Sequence, residues 1–299
     1  MSRSMAVCNA QLLFATRQQN VTLHSQVRHL PDAAVQGRKV MPATASASIN
    51  HWPDSACARA FWGQQEIPPY RRLLADTIAW LDPRPGEEWL DLGCGCGQLT
   101  GGLWEKAQGS LGRVVASDCA AINEQAIAKL RNHLRPSPAE EQLSFVHLDF
   151  SNGLPVWDDA MFDGVVSGLA IQYAEYYSQE RGCWTTDAYD RLLCEVYRVL
   201  RVGGRFVFSV NVPEPGWRRV ALQSLHGIFR ARHPGRYFKN SMRMMRYGKW
   251  LTREARRGRF HYLPIETIVE KLRTAGFSNI SHRLTYAGQA YLVRCLKPI

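Results

Sequence analysis

Residues 89–100 read WLDLGCGCGQLT. An apolar run ends in a loop with glycine at every second position, Gly93, Gly95 and Gly97, and a second apolar segment follows. Glycine lets a backbone come close to a ligand and adopt conformations that side chains resist, and a helix begun after Gly97 offers unpaired N–H groups to it. The two intervening cysteines, Cys94 and Cys96, lack the C-x-x-C spacing of a zinc knuckle, and no His or Cys pair elsewhere completes one, so no metal is expected. Asp118 lies 21 residues beyond Gly97, at the tip of VVASD. A carboxylate in that place accepts both hydroxyl protons of a ribose. A dinucleotide loop would read G-x-G-x-x-G, whereas here position 98 is Gln.

Outward from this loop, strand and helix patterns alternate. Tyr70, Leu73, Leu74, Ile78 and Leu81 recur at helical spacing from Pro68 until DPRPGEE breaks the run. EWLDL, RVVAS, LSFVHL, FDGVVSG and RFVFSVNV read as strands. Between them come a helix over 98–107, one striped by Ile122, Ala126, Leu130 and Leu134, and one marked by Tyr189, Leu192, Leu193, Val196 and Leu200 that stops at Gly203-Gly204. Such alternation predicts right-handed βαβ units and a mostly parallel sheet with helices on both faces. At the end of the chain, Ile265, Ile268, Val269 and Leu272 stripe one more helix. The runs NISHRLTY and AYLVRCL then flank the turn at Ala287-Gly288, predicting an antiparallel hairpin at the sheet edge.

The chain has 299 residues and a formal charge of +11, unevenly spread. Residues 51–197 carry 11 Lys/Arg against 21 Asp/Glu, whereas residues 198–299 carry 21 against 4. A basic half implies an anionic partner. Residues 1–50 hold one acid, Asp32, and end in small residues, and are expected to form a poorly ordered tail ahead of a domain over 51–299. No run approaches the ~18 apolar residues of a membrane span. The eight scattered cysteines suit a reduced, cytoplasmic protein. The connection over 212–262 is too long for an ordinary link and is expected to form a lid. Within it, residues 216–260 hold thirteen Lys/Arg and one acid, Glu254, interleaved with apolar residues at helical spacing that include Trp217, Val220, Leu225, Phe229, Met242, Met245 and Trp250. That is the composition of an element lying in a membrane interface, so peripheral contact with an anionic membrane through 216–260 is an expectation. A solvated lid over the site is the plainer reading.

On these residues the chain resembles the class I S-adenosylmethionine-dependent methyltransferases over roughly 60–299. The matching blocks are the D-x-G-x-G-x-G loop from Asp91 to Gly97, Asp118, LDFSNGLPVWDDAMFDGVVSG, and EVYRVLRVGGRFVFS. The closest likeness is to small-molecule enzymes of the ubiquinone and menaquinone biosynthesis type. The resemblance implies a seven-stranded sheet of order 3-2-1-4-5-7-6 with strand 7 antiparallel, and S-adenosylmethionine as cofactor. It implies a cofactor site at Asp91, Gly93, Gly95, Gly97, Asp118, Cys119, Asp149, Phe150 and Ser167, with Asp149 toward the adenine amino group. Gln172 and Tyr173, after strand four, face the acceptor; Tyr173 and His226 are the candidate bases. Trp62 and Tyr70 are placed to cover the cofactor, and His147 is read as a core histidine. The implied activity is methyl transfer to a small, lipid-like or quinone-like acceptor. Alternatives are an RNA- or protein-modifying enzyme that uses the basic half, a non-catalytic scaffold, and an NAD-dependent oxidoreductase.

Overall fold

The computed structural model describes residues 52, 54, 58, 59, 61–64, 67–216, 220 and 234–299. The expected tail over 1–50 and the candidate base His226 lie outside them.

Seven strands form the main sheet. In chain order they are β1 (Glu88–Leu92), β2 (Arg113–Asp118), β3 (Leu143–His147), β4 (Phe162–Gly168), β7 (Leu200–Asn211), β8 (Ser278–Thr285) and β9 (Ala290–Leu296). The spatial order is β3-β2-β1-β4-β7-β9-β8. The first five strands run parallel, and β9 runs antiparallel to β7 and to β8. This is the predicted topology, with the predicted hairpin at the edge. The two numbers missing from the series belong to a separate short hairpin that the sequence reading did not anticipate, β5 (Tyr176–Ser178) paired with β6 (Cys183–Thr185).

Alternation along each strand supplies two cores, one per face. Leu90, Val115, Val165, Phe206, Phe208 and Val293 point to one side. They meet Tyr189, Leu192, Leu193 and Val196 of α4 (Asp187–Val199), and Ile268 and Leu272 of α6 (Ile265–Thr274). Their neighbours Trp89, Val114, Ala116, Val166, Val207 and Leu292 point to the other. There they meet Leu99, Leu103 and Trp104 of α2 (Gln98–Lys106) and Ile127 of α3 (Asn123–His133). Both faces of a parallel sheet must be covered, which is why these strands read as nearly continuous apolar runs. Trp89 is fully buried, and its ring occupies the space that a side chain at Gly164 would need, 2.5 Å from an added Cβ.

Helix α1 (Pro68–Trp80) starts with proline at its first turn and buries Tyr70, Leu73 and Thr77. Helix α4 ends at Val199, four residues before the double glycine expected to stop it. The chain passes straight into β7, and Gly203 takes a left-handed turn (φ 77°) within that strand. The 212–262 connection contains a 23-residue helix, α5 (Pro234–Arg256).

His147 needs correction. It reads from the sequence as a core histidine, but β3 is the sheet edge and His147 is exposed at its end. Its Nε2 lies 2.8 Å from the Cys119 carbonyl oxygen.

Candidate functional site

Chain order reverses between β1 and β4, because β2 and β3 lie on one side of β1 and β4 and β7 on the other. A crevice forms beyond the carboxyl ends of parallel strands at such a switch point. The cavity found there collects Gly93 from the end of β1, Asp118 from β2, Asp149 just past β3, Gly168 from β4 and Asn211 from β7.

The glycine loop is pinned before any ligand arrives. Gly93 N–H and Cys94 N–H both donate to the Ser117 carbonyl (2.9 Å each). Gly95 N–H donates to Asp118 Oδ2 (2.9 Å), and Ala120 N–H donates to Asp118 Oδ1 (2.8 Å). Asp118 therefore shapes the loop as well as facing the cavity. Burial raises its carboxyl above the usual range, while the Ala120 and Gly95 amides pull it back. Gly93 adopts φ 75°, and a Cβ there would stand 2.3 Å from the Ala170 Cβ. At Gly95 (φ 54°) an added Cβ would meet no protein atom within 4 Å, so this backbone faces open cavity.

Asp91 is fully buried on β1, below the loop. Its Oδ2 accepts the Thr100 hydroxyl (2.6 Å), whereas its buried Oδ1 has no hydrogen-bond partner among the described residues. Burial pushes this carboxyl up to about 7, against the opposing hydrogen bonds from Thr100. Gln98, at the start of α2, accepts the Tyr70 hydroxyl on Oε1 (3.2 Å), and its buried Nε2 has no acceptor among the described residues. Both residues line the cavity. A buried polar atom without a partner is costly. An orphan anion and an orphan donor in one cavity complement the ammonium and carboxylate of an amino-acid group.

Asp118 and Asp149 line the same cavity, as do Cys119 and Phe150. Asp149 Oδ1 accepts from Ser151 N–H (2.9 Å), which fixes the carboxylate at the start of a short 3-10 turn. Trp62 and Tyr70 also line it, as the sequence reading expected. Trp62 is held by its Nε1–H, which donates to Asn123 Oδ1 (2.9 Å).

Two of the expected site residues lie elsewhere, and a third is set back from the cavity. Ser167 is buried with its hydroxyl donating to the Leu92 carbonyl (2.7 Å); strand alternation turns it away from the cavity that Gly168 borders. Gln172 is also fully buried and bonded to the scaffold, accepting Asn211 N–H on Oε1 and donating to the Leu169 carbonyl. Gly97 stands just behind the lining, as the left-handed cap of α2 (φ 82°).

Tyr173 does line the cavity, within a wall that sequence reasoning did not assemble. Its ring lies 4.5 Å from Trp52 and 5.0 Å from Phe260, and its hydroxyl is 3.2 Å from the Tyr262 hydroxyl. Burial holds the Tyr262 hydroxyl far above the ordinary tyrosine range, and its neighbour Tyr173 adds to this. The Tyr262 hydroxyl therefore stays neutral at ordinary pH and acts as a hydrogen-bonding group. Phe61, Tyr286, Leu169 and Leu251 extend the apolar wall. The described lining thus contains three carboxylates and no Lys or Arg.

The orphan Asp91 oxygen gives a pH prediction. A cationic group bound beside it favours the ionised carboxylate and lowers its pKa below the free value of about 7. Binding should therefore be strongest above pH 7 and weaken by up to about tenfold per pH unit below it. Calorimetry in buffers of different ionisation enthalpy should detect proton release at pH 6, and Asp91→Asn should abolish it. Binding that stays flat from pH 5 to 8 would mean that Asp91 does not face the ligand's cation.

A methyltransferase-domain family model matches residues 90–208. The chain is 34% identical over 133 residues to the demethylmenaquinone methyltransferase of Symbiobacterium thermophilum, covering 44% of this chain and 45% of that protein. It is 29% identical over 231 residues to the ubiquinone/menaquinone biosynthesis C-methyltransferase UbiE of Acidiphilium cryptum, covering 74% of this chain and 78% of that protein. The matched part of the chain therefore spans less than half of the first relative's length and most of the second's. Among solved structures it is similar to the 1,6-didemethyltoxoflavin-N1-methyltransferase of Burkholderia thailandensis, which holds its substrate and S-adenosylhomocysteine. The TM-score is 0.50 at 21% identity, covering 82% of this chain and 84% of that one.

Proposed function

We propose that the chain is a class I, S-adenosylmethionine-dependent methyltransferase that transfers a methyl group to a small, uncharged, largely apolar acceptor of quinone-like or lipid-like character, a reading supported by the methyltransferase-domain match and the sheet order. The observation that carries this reading is the two-part lining of one cavity. One part is the three carboxylates with the glycine loop, and the other is the set of aromatic rings of Trp52, Phe61, Tyr173 and Tyr286.

S-adenosylmethionine supplies a methyl group already activated on sulfonium sulfur, so positioning and exclusion of water carry most of the rate. Asp91 and Gln98 suit its amino-acid end, Asp118 its ribose and Asp149 its adenine amino group, with Phe150 beside the base. The aromatic wall excludes water and favours a flat apolar acceptor. The paired hydroxyls of Tyr173 and Tyr262 orient an acceptor oxygen by hydrogen bonding. A polyanionic acceptor would bring its phosphates toward Asp91, Asp118 and Asp149 with no cation in the described lining to receive them, which disfavours RNA. In this reading the acceptor is met at an anionic membrane surface, through the insertion after β7.

Methyl-labelled S-adenosylmethionine offered with a lipid extract, a panel of naphthols and benzenediols, total RNA and whole-cell protein tests the proposal. Label is expected in the organic-soluble fraction. Label confined to RNA or protein would overturn the small-acceptor reading.

A further inference from the structure

The helix that borders the cavity has a second face, and the two differ completely. On α5, Gly248 and Leu251 are buried and line the cavity, and Trp250 packs edge-on against Phe260 (5.6 Å). Arg246, Lys249, Arg253 and Arg256 are all exposed. Their i, i+3, i+7, i+10 spacing sets them in one row along the helix, and Met242, 43% exposed, extends that row by one turn. None of the four cations has an ion-pair partner among the described residues. The one acid of this helix, Glu254, is buried and faces Arg257 (3.1 Å) and Arg259 (3.7 Å).

The row ends beside the β5–β6 hairpin. Arg259, buried after the end of α5, pairs with Glu175 and lies 5.1 Å from the Trp184 ring. Trp184 in turn meets Tyr177, which is 37% exposed, edge-on at 5.2 Å. Tyrosine and tryptophan rings next to a row of cations, with an exposed methionine at its other end, match the interfacial zone of a membrane, where aromatic rings settle at headgroup level.

We propose that the outer face of α5, with the adjoining β5–β6 hairpin, docks on an anionic lipid surface, so that the cavity beneath α5 draws its acceptor directly from the bilayer. This deepens the functional reading and rests on it for the acceptor, but the docking itself does not require that reading. Three observations favour lipid over nucleic acid. The cations lie outside the cavity while the carboxylates lie inside it, the part of the same helix that borders the cavity, Gly248 and Leu251, is apolar, and exposed apolar side chains flank the cationic row at both ends. Among the described residues no helix is long and apolar enough to cross a membrane, so the contact proposed is a surface one.

The test is cosedimentation of the full chain with vesicles of phosphatidylcholine alone and of phosphatidylcholine with 30 mol% phosphatidylglycerol, a fraction on the order of that in anionic leaflets. Binding is expected only to the anionic vesicles and should fade as salt rises. Each cation near such a surface contributes about fivefold, so replacing Arg246, Lys249, Arg253 and Arg256 together by Gln should weaken binding at least tenfold. These side chains are exposed, so the variant should keep its melting temperature and its affinity for S-adenosylhomocysteine. Equal binding to both vesicle types, or anionic binding unchanged in the variant, overturns the proposal. So does indifference to vesicles alongside salt-dependent RNA binding. A failure of cofactor binding in the native chain would instead count against the methyltransferase reading and leave the vesicle result to stand by itself.

Discussion

Asp118→Ala is expected to weaken S-adenosylhomocysteine binding by at least about 3 kcal/mol, more than a hundredfold. Two losses combine. Hydrogen bonds from the ribose to a charged group are worth about 1.5–3 kcal/mol. The same carboxylate also accepts the Gly95 and Ala120 amides, and its removal leaves both without that acceptor. Asp118→Asn keeps an oxygen for one of them and should lose less. Calorimetry on both variants, with circular dichroism to confirm folding, separates the contributions. Affinity unchanged in Asp118→Ala would mean that the cofactor lies elsewhere.

Gly93→Ala should be the most damaging small substitution in the loop. The new methyl would stand 2.3 Å from the Ala170 Cβ and 3.3 Å from the Phe150 ring, in a left-handed conformation that already disfavours a side chain. Overpacking costs typically about 1–3 kcal/mol and the left-handed strain about 1–2. A stability loss of about 2–5 kcal/mol is expected in denaturant titration, with cofactor binding falling along with it. Gly95→Ala is the informative contrast. Its Cβ meets no protein atom within 4 Å, so stability should fall by only about 1–2 kcal/mol. The added methyl enters the cofactor's space, so affinity should fall more than stability does. Equal stability losses in the two variants would contradict the packing described around Gly93.

The fold was legible because the βαβ alternation is a local signal. The strand runs EWLDL, RVVAS and FDGVVSG are each bounded by loop residues, and burial on both faces makes their middles largely apolar. The crevice lining at the strand ends was legible for a related reason. Gly93, Asp118 and Asp149 all lie at or just past carboxyl ends of parallel strands, where sequence position predicts spatial position. Ser167 and Gln172 were misplaced because membership of the right segment does not determine side-chain direction. One residue along β4 separates the hidden Ser167 from Gly168 at the cavity. Asn211 could have been found by the same rule, since it ends β7 beside the switch point, but RFVFSVNV drew notice only as a strand. The aromatic wall was out of reach. Trp52, Tyr173, Phe260 and Tyr286 come from four distant segments, and no periodicity links them. His147 was misread because edge and centre of a sheet differ in topology, which a strand's own composition does not record.

The central claim is that the crevice between β1 and β4 is an S-adenosylmethionine site. Titration calorimetry of the full chain with S-adenosylhomocysteine and, separately, with NADH tests it most directly. The account predicts one-to-one, micromolar-range binding of S-adenosylhomocysteine that Asp118→Ala abolishes or nearly so, and no heat from NADH. Tight binding of NADH with none of S-adenosylhomocysteine would contradict it.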